Sequence, residues 1–267
     1  MTNLQSETSD LVVITGGANG IGRATVKQFA ELDTKLIVVL DTDEKQLQSL
    51  TNDCEMGTGL FLPIVCDVTL PNSLAEAANS VISLIEKHKL KINCVTLISL
   101  AGRALKKEFN KDIFPTPEIF GDSVQLNLNS HYYFLHAFLD IIQTSKGPSK
   151  IVLVSTINAL VSADLVAYSS AKSGLRGLAV SLARPLFKNY NTTINVAILG
   201  TVRPEDSERK EPKNMEELDK STFSGQVLTE KEAASSIIWI SRAPSGLIGR
   251  EVVLDLGQSL NMVQYVE

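Results

Sequence analysis

With 267 residues, 44% of them hydrophobic and 21% charged, the chain carries enough apolar material for one large globular domain or two small ones, which excludes disorder. A net charge of -5, with no Lys/Arg block and no aromatic-basic interleaving, argues against nucleic acid as a main partner. Cys54, Cys66 and Cys94 are odd in number, widely spaced and set in apolar patterns, so buried free thiols in a reducing compartment are expected rather than a disulfide framework.

The first ten residues have neither the basic nor the apolar region of a signal peptide, and no run approaches a membrane span, so a soluble cytoplasmic protein is expected. Leu11 to Ile14 is a short β-branched run that ends at Thr15-Gly16-Gly17-Ala18-Asn19-Gly20-Ile21-Gly22. Ala24, Val26, Phe29, Ala30 and Leu32 then repeat at helical spacing, giving strand, glycine turn, helix. In such a turn Gly16 permits the tight bend, Gly20 lets the backbone approach a pyrophosphate, and Gly22 lets the helix pack closely. A Walker phosphate loop is excluded, because Arg23 and Ala24 follow Gly22.

Lys35 to Leu40 reads as a second strand, followed directly by Asp41, nineteen residues past Gly22, where a dinucleotide fold holds the adenosine ribose hydroxyls. A carboxylate there repels a 2′-phosphate, so NAD is expected over NADP. Phe61 to Cys66 runs into Asp67-Val68, and Ile92 to Leu100 runs into Ala101-Gly102, with a helical repeat from Leu74 to Ile85 between them. The order βαβαβαβ implies a parallel sheet covered on both faces. Residues 103 to 117 read as an irregular surface loop bearing Arg103, Lys106, Lys107 and Lys111. A long helical pattern from about Glu118 to Gln143 contains Asn127.

The fifth strand, Ile151 to Val154, meets Ser155, and the helix that follows carries Tyr168 and Lys172. Four residues apart, these two lie about 6 Å along the axis on one face, so an ammonium is able to sit beside a phenol. Bringing a phenol from near 10 to neutrality takes roughly three pKa units, about 4 kcal/mol, and a close cation in a partly dehydrated site supplies much of it. A sixth strand, Thr193 to Leu199, ends at Gly200. Arg203 to Lys220 holds five Lys/Arg and seven Asp/Glu with sparse apolar residues, which predicts a mobile flap within 201–226. Thr229 with Glu232 makes a capping box for a helix through Trp239, and Gly249 introduces the last strand, Val252 to Leu254. No linker or repeat divides the chain, so one domain is expected. His88, His131 and His136 are too few and scattered for a zinc site and no metal is expected, although His131 falls by position near the candidate site.

In an open parallel sheet, ligands bind outside the carboxyl ends of the strands, and the residues singled out above follow successive strands. With this pattern in place the chain resembles the compact, single-domain branch of the short-chain dehydrogenase/reductase family, over about residues 10 to 258. The resemblance rests on Thr15-Gly16-x-x-x-Gly20-Ile21-Gly22, on Asp67, and on Asn127, Ser155, Tyr168 and Lys172, with Ser155 thirteen residues before Tyr168. It implies a Rossmann-type doubly wound sheet of about seven strands with helices on both faces. The implied activity is reversible hydride transfer between a nicotinamide and a secondary alcohol or ketone. By the same resemblance Tyr168 is the general acid/base, Lys172 lowers its pKa and holds the nicotinamide ribose, and Ser155 binds the reacting oxygen. Asn127 bends its helix and holds a water linking Lys172 to solvent. Implied cofactor contacts are Gly16, Asn19, Gly20, Ile21, Gly22, Asp41, Asp67, Val68, Ala101, Gly102, Tyr168, Lys172, Gly200 and Val202.

The chain departs from the family pattern at Ser99-Leu100, where Asn-Asn is usual, at Leu199 before Gly200, and at Pro204 in place of a cofactor-contacting threonine. These departures leave a second reading open, a non-catalytic member that binds dinucleotide as a sensor or regulator. The resemblance also suggests a homotetramer built on the helices containing Asn127 and Tyr168.

Overall fold

The computed structural model describes residues 10–32, 34–54, 59–105, 108, 114–161, 164–205 and 215–262. Its centre is β1 (Leu11–Thr15), buried along its whole length. An unbroken apolar strand is what a parallel sheet covered on both faces requires. Leu11 and Val13 enter one core and Val12 and Ile14 the other, following the period of two along a strand.

From β1 the chain passes through α1 (Gly20–Ala30), β2 (Leu36–Asp41), α2 (Glu44–Asp53), β3 (Leu60–Val65), α3 (Pro71–Lys87) and β4 (Val95–Ser99). After α4 (Pro117–Val124), α5 (Ser130–Ala137) and α6 (Leu139–Thr144) come β5 (Ser149–Thr156), α7 (Val166–Tyr190) and β6 (Thr192–Leu199). β7 (Val202–Arg203), α8 (Met215–Lys220), β8 (Leu228–Thr229), α9 (Glu230–Ser241), β9 (Glu251–Leu254) and α10 (Gln258–Met262) complete the chain. The seven-stranded sheet has the order β3-β2-β1-β4-β5-β6-β9, with every pair parallel. One core joins the sheet to α3, α5 and α7 through Leu74, Phe134 and Leu175, and the other joins it to α1 and α9 through Val26, Phe29 and Ile237. Full burial of side chains such as Phe29 and Phe134 contributes about 1.5–3 kcal/mol each. Strand order reverses between β1 and β4, which opens a crevice at their carboxyl ends. Thr15 Oγ1 closes the floor of that crevice by accepting the N–H groups of Leu100 and Ala101, at 3.0 and 3.1 Å.

Three expectations need correction. The helix expected from Glu118 to Gln143 is broken: Gln125–Asn129 form a π turn, and Phe138, at φ -98° and ψ 7°, separates α5 from α6. The cause of the π turn lies in Asn127, whose side-chain amide donates to Ser123 O at 3.1 Å and so competes with the helical backbone. The charged stretch Arg203–Lys220 is not uniformly irregular. Val202–Arg203 pairs with Leu228–Thr229 in a small parallel sheet, and α8 is anchored by Met215, which is 4% exposed. Asp219, on α8, accepts from Val227 N at 2.9 Å and pairs with Arg203. The middle of the expected flap, 206–214, lies outside the described residues, as do 106–107 and 109–113 of the loop after β4. Cys66 and Cys94 are buried thiols, whereas Cys54 is only half-buried.

Among the described residues no helix is long and apolar enough to cross a membrane, and no cluster of His, Cys, Asp and Glu is placed to hold a metal ion.

Candidate active site

At the first turn of the sheet, Gly22 is fixed by packing. A Cβ there would collide with the Gly16 carbonyl and stand 2.9 Å from Gly17 Cα. Gly16 and Gly20 take φ of 69° and 55°, and a Cβ on Gly16 would stand 2.9 Å from Ala101 Cα, so the turn is pressed against the end of β4. Asn19 is the N-cap of α1 but its side chain makes no capping bond, and no acidic residue sits in the first turn. The N–H groups of that turn therefore face an end of the helix favourable to an anion. Ile21 packs against the core on the α1 side.

Asp41 ends β2 with both carboxylate oxygens engaged by backbone: Oδ2 accepts from Ala18 N at 3.0 Å and Oδ1 from Asp43 N at 3.1 Å. The carboxylate is thereby held against the glycine turn. Asp67 is a turn residue in its contacts, since Oδ1 accepts from both the N–H and the hydroxyl of Thr69. Val68 is 7% exposed and belongs to the core on the α3 side. At Gly200 a Cβ would stand 2.8 Å from Asp255 Cα just past β9, so the backbone there is closely packed. Val202 lies in β7 and packs against the core on the α1 side.

Lys172 is the centre of a compact polar cluster. It is 3% exposed, and its Nζ donates to Val154 O at 3.0 Å and faces His131 Nε2 at 3.3 Å. Burial alone brings this amine down to about 7. On the far side of the ring, His131 Nδ1 lies 2.7 Å from Ser99 Oγ. Gly102, at φ 153°, completes the cluster: a Cβ on it would stand 2.7 Å from Asn127 Oδ1 and 2.9 Å from Lys172 Nζ. Asn127 is fully buried and clips the chain after β4, accepting from Arg103 N at 2.9 Å and donating to Arg103 O at 3.0 Å. Ser155, near the end of β5, donates to Lys172 O at 3.1 Å. Asn127, Ser155, Lys172, Ala101 and Gly102 are thus brought together by the carboxyl ends of β4 and β5.

Tyr168 differs from its expectation. It stands one turn before Lys172 on α7, but its hydroxyl makes no hydrogen bond among the described residues, to Lys172 Nζ or to any other group. The acidified phenol that the Tyr-x-x-x-Lys spacing leads one to expect is absent from this state. Burial, with the Glu108 carboxylate adding to it, pushes Tyr168 up to about 12. Glu108 was not foreseen as a site residue. Leu165, the N-cap of α7, has no capping side chain, and Glu108 Oε2 instead accepts from Tyr168 N at 2.8 Å, while Oε1 accepts from Leu105 N at 3.1 Å. A carboxylate at a helix N-terminus is favourable by charge as well as by hydrogen bonding. The only local signal of this cap was the lack of Ser, Thr, Asp or Asn at position 165. Gln258 was also missed: 1% exposed, it accepts from Thr201 N at 2.8 Å and donates to Ser221 Oγ at 2.9 Å, tying the segment after β6 to α10.

The family model described as short chain dehydrogenase matches residues 10–215. The L-rhamnose-1-dehydrogenase of Scheffersomyces stipitis is 28% identical over 260 residues, covering 94% of this chain and 96% of that protein. The L-rhamnose 1-dehydrogenase (NADP(+)) of Thermoplasma acidophilum is 23% identical over 255 residues, with 94% and 96% covered. Among solved structures, an oxidoreductase of the short chain dehydrogenase/reductase family from Burkholderia thailandensis superposes with a TM-score of 0.78 at 25% identity, over 94% of this chain and 93% of that one. A 3-oxoacyl-[acyl-carrier protein] reductase with bound NAD from Brucella melitensis shares the fold, with a TM-score of 0.80 at 22% identity over 95% and 92% of the two chains.

Proposed function

Since the chain belongs to the short-chain dehydrogenase/reductase family, an oxidoreductase family that binds a nicotinamide dinucleotide, we propose that it interconverts a secondary alcohol and a ketone with NAD(H), using Tyr168 as the general acid/base. The observation that carries this reading is the meeting of Gly102, Asn127 and Lys172 beside the β1–β4 crevice, where the absence of a Cβ leaves room next to the amine. The residues fit a dinucleotide: an uncapped first turn of α1 for the pyrophosphate, Asp41 for ribose hydroxyls, and Lys172 for the second ribose. A bound nicotinamide supplies or accepts the hydride at its C4. The chain's part is to hold and move the proton. Tyr168 OH donates to the carbonyl oxygen in reduction and takes the proton back as phenolate in oxidation. Ser155 turns its hydroxyl from Lys172 O toward that oxygen and steadies the developing charge. Lys172 would hold the nicotinamide ribose, and an ammonium brought nearer the phenol there would lower its pKa, which the state described above does not do.

NAD is favoured over NADP because the fixed Asp41 carboxylate opposes a 2′-phosphate. Arg23, which donates to Ala18 O, does not offset it, since its guanidinium is paired with Asp53 at 2.6 Å. NADH should therefore bind at least about tenfold tighter than NADPH, a gap of about 1.4 kcal/mol. Nucleotide fluorescence quenching measures both, and equal affinities would remove Asp41 from this role.

The substrate scan starts with aldoses, because two relatives are named for L-rhamnose, and extends to other small alcohols and ketones. On the substrate found, Tyr168→Phe should cut turnover by at least about 10²-fold with little change in NADH affinity. Near-native turnover in Tyr168→Phe would place the proton donor elsewhere. The raised phenol and the inward-turned amine favour one alternative, a dinucleotide sensor without turnover, for which the whole scan stays blank while NADH still binds. For assembly we propose self-association through α5 and α7. Val180 and Tyr132 are exposed there, and a 230 Å³ groove is lined by Tyr132, Leu135, Leu182 and Leu186. Sedimentation of a dilute sample should show an oligomer, and a lone 29.0 kDa species would refute it.

A further inference from the structure

One fully buried titratable side chain has no part in the mechanism above. His131, on α5, is 1% exposed, and each of its ring nitrogens faces a polar partner, Ser99 Oγ at 2.7 Å from Nδ1 and Lys172 Nζ at 3.3 Å from Nε2. An ammonium has three donors and no acceptor. Opposite it, Nε2 has to carry the lone pair, which leaves the ring proton on Nδ1 and directs it to Ser99 Oγ. We propose that His131 is a positioning residue for Lys172: its Nε2 accepts from the ammonium and, with Val154 O, fixes where the amine stands, while Ser99 selects the tautomer that makes this acceptor available. Position 99, where the sequence departs from the family pattern, is where the ring finds its second partner.

Burial first, and then the adjacent Lys172, hold the imidazole well below its ordinary value, which keeps it a neutral acceptor. The helix of His131 packs against α3, α6, β4 and the π turn, and that of Lys172 against α4, β5, β6, the π turn and the turn at Ile157–Ala159. From these elements come the Ser99 and Ser155 hydroxyls, the Asn127 amide and the Tyr168 phenol. Among the described residues no carboxylate and no second cation acts on His131, and none on Lys172.

The inference rests on the proposed role of Lys172 only for its catalytic consequence, so the test uses cofactor-free protein and needs no substrate. Nitrogen-15 NMR of the histidine rings at pH 6, where Lys172 is mostly charged, should find His131 neutral, with Nδ1 protonated and Nε2 bare. A proton on Nε2 there would overturn the proposal even if every variant failed to fold. Carbon-13 NMR of the Lys172 side chain, identified by its loss in Lys172→Met, then follows the amine's titration. Removing an acceptor from a charged donor in His131→Leu should lower the Lys172 midpoint by about one pH unit or more. His131→Gln, which keeps an oxygen acceptor of similar reach, should restore it to within about half a unit. An unchanged midpoint in His131→Leu, or equal shifts in both variants, would leave His131 a packing residue. Failure of Tyr168→Phe to reduce turnover is a separate result that removes the catalytic reading and leaves this coupling to its own titration.

Discussion

Two side chains one turn apart on α7 meet opposite surroundings. Lys172 Nζ is held by the Val154 carbonyl and His131, with Gly102 and Asn127 closing around it, so its partners come from strand ends and the adjoining helix. Tyr168 is half-buried, its hydroxyl has no hydrogen-bond partner among the described residues, and the charge that acts on it is Glu108, on the loop after β4. The i,i+4 spacing places both on one face of a helix, but a shared face does not create coupling. Here the amine turns inward to backbone while burial, with a carboxylate adding to it, holds the phenol neutral. The half of the site built on the sheet is organised in advance, and the half that meets the loop depends on what binds there for its chemistry.

The largest test of this contrast is the pH dependence of stability. The amine titrates near 7 in the folded protein against 10.5 when unfolded, so its folded pKa is depressed. The unfolded chain then binds more protons throughout that window, and stability falls as pH drops from about 10.5 through about 7, with the loss complete below both values. The integrated effect is at most about 5 kcal/mol. Lys172→Met should abolish this slope. Its absolute stability also includes the unpaired acceptors it leaves at Val154 and His131, so the informative quantity is the wild-type minus variant difference at several pH values. Denaturant midpoints from pH 6 to 10 give it, and a difference independent of pH would mean that Lys172 is hydrated and the cluster is not preorganised.

How much of this was readable beforehand depends on how far apart the contacting residues lie in the chain. The glycine turn, Asp41 at the end of β2 and the seven strands follow from local runs and spacing, and the capping box at Thr229 forms as its spacing indicates, with Glu232 N donating to Thr229 Oγ1 at 3.1 Å. The grip of Asn127 on Arg103 spans 24 residues, and the cap of α7 comes from Glu108, 60 residues away. Ser99 and His131, 32 apart, meet only because β4 and α5 pack together. Local periodicity carries no record of such meetings. For the same reason the charged stretch after β6 looked featureless, since one buried residue, Met215, and one carboxylate, Asp219, suffice to anchor its end.

The smaller test changes the loop half of the site. Glu108→Gln keeps the size of the side chain but removes its charge, and its amide cannot present two oxygens to the N–H groups of Leu105 and Tyr168 at once. Losing one charge-assisted bond at the start of α7 should cost about 1 kcal/mol, read as a lower denaturant midpoint at neutral pH. The same change should move the phenol in the opposite sense to the present carboxylate. With a negative charge gone the phenolate is less disfavoured, and Tyr168 should titrate below its value of about 12, though still above 10.0 because burial, the larger cause, remains. Ultraviolet difference absorbance follows tyrosine ionisation, and subtracting the Tyr168→Phe titration isolates this residue from the other four of the five tyrosines. A phenol that titrates identically in Glu108→Gln and wild type would show that the loop exerts no electrostatic hold on it. The contrast between the two halves of the site would then reduce to burial alone.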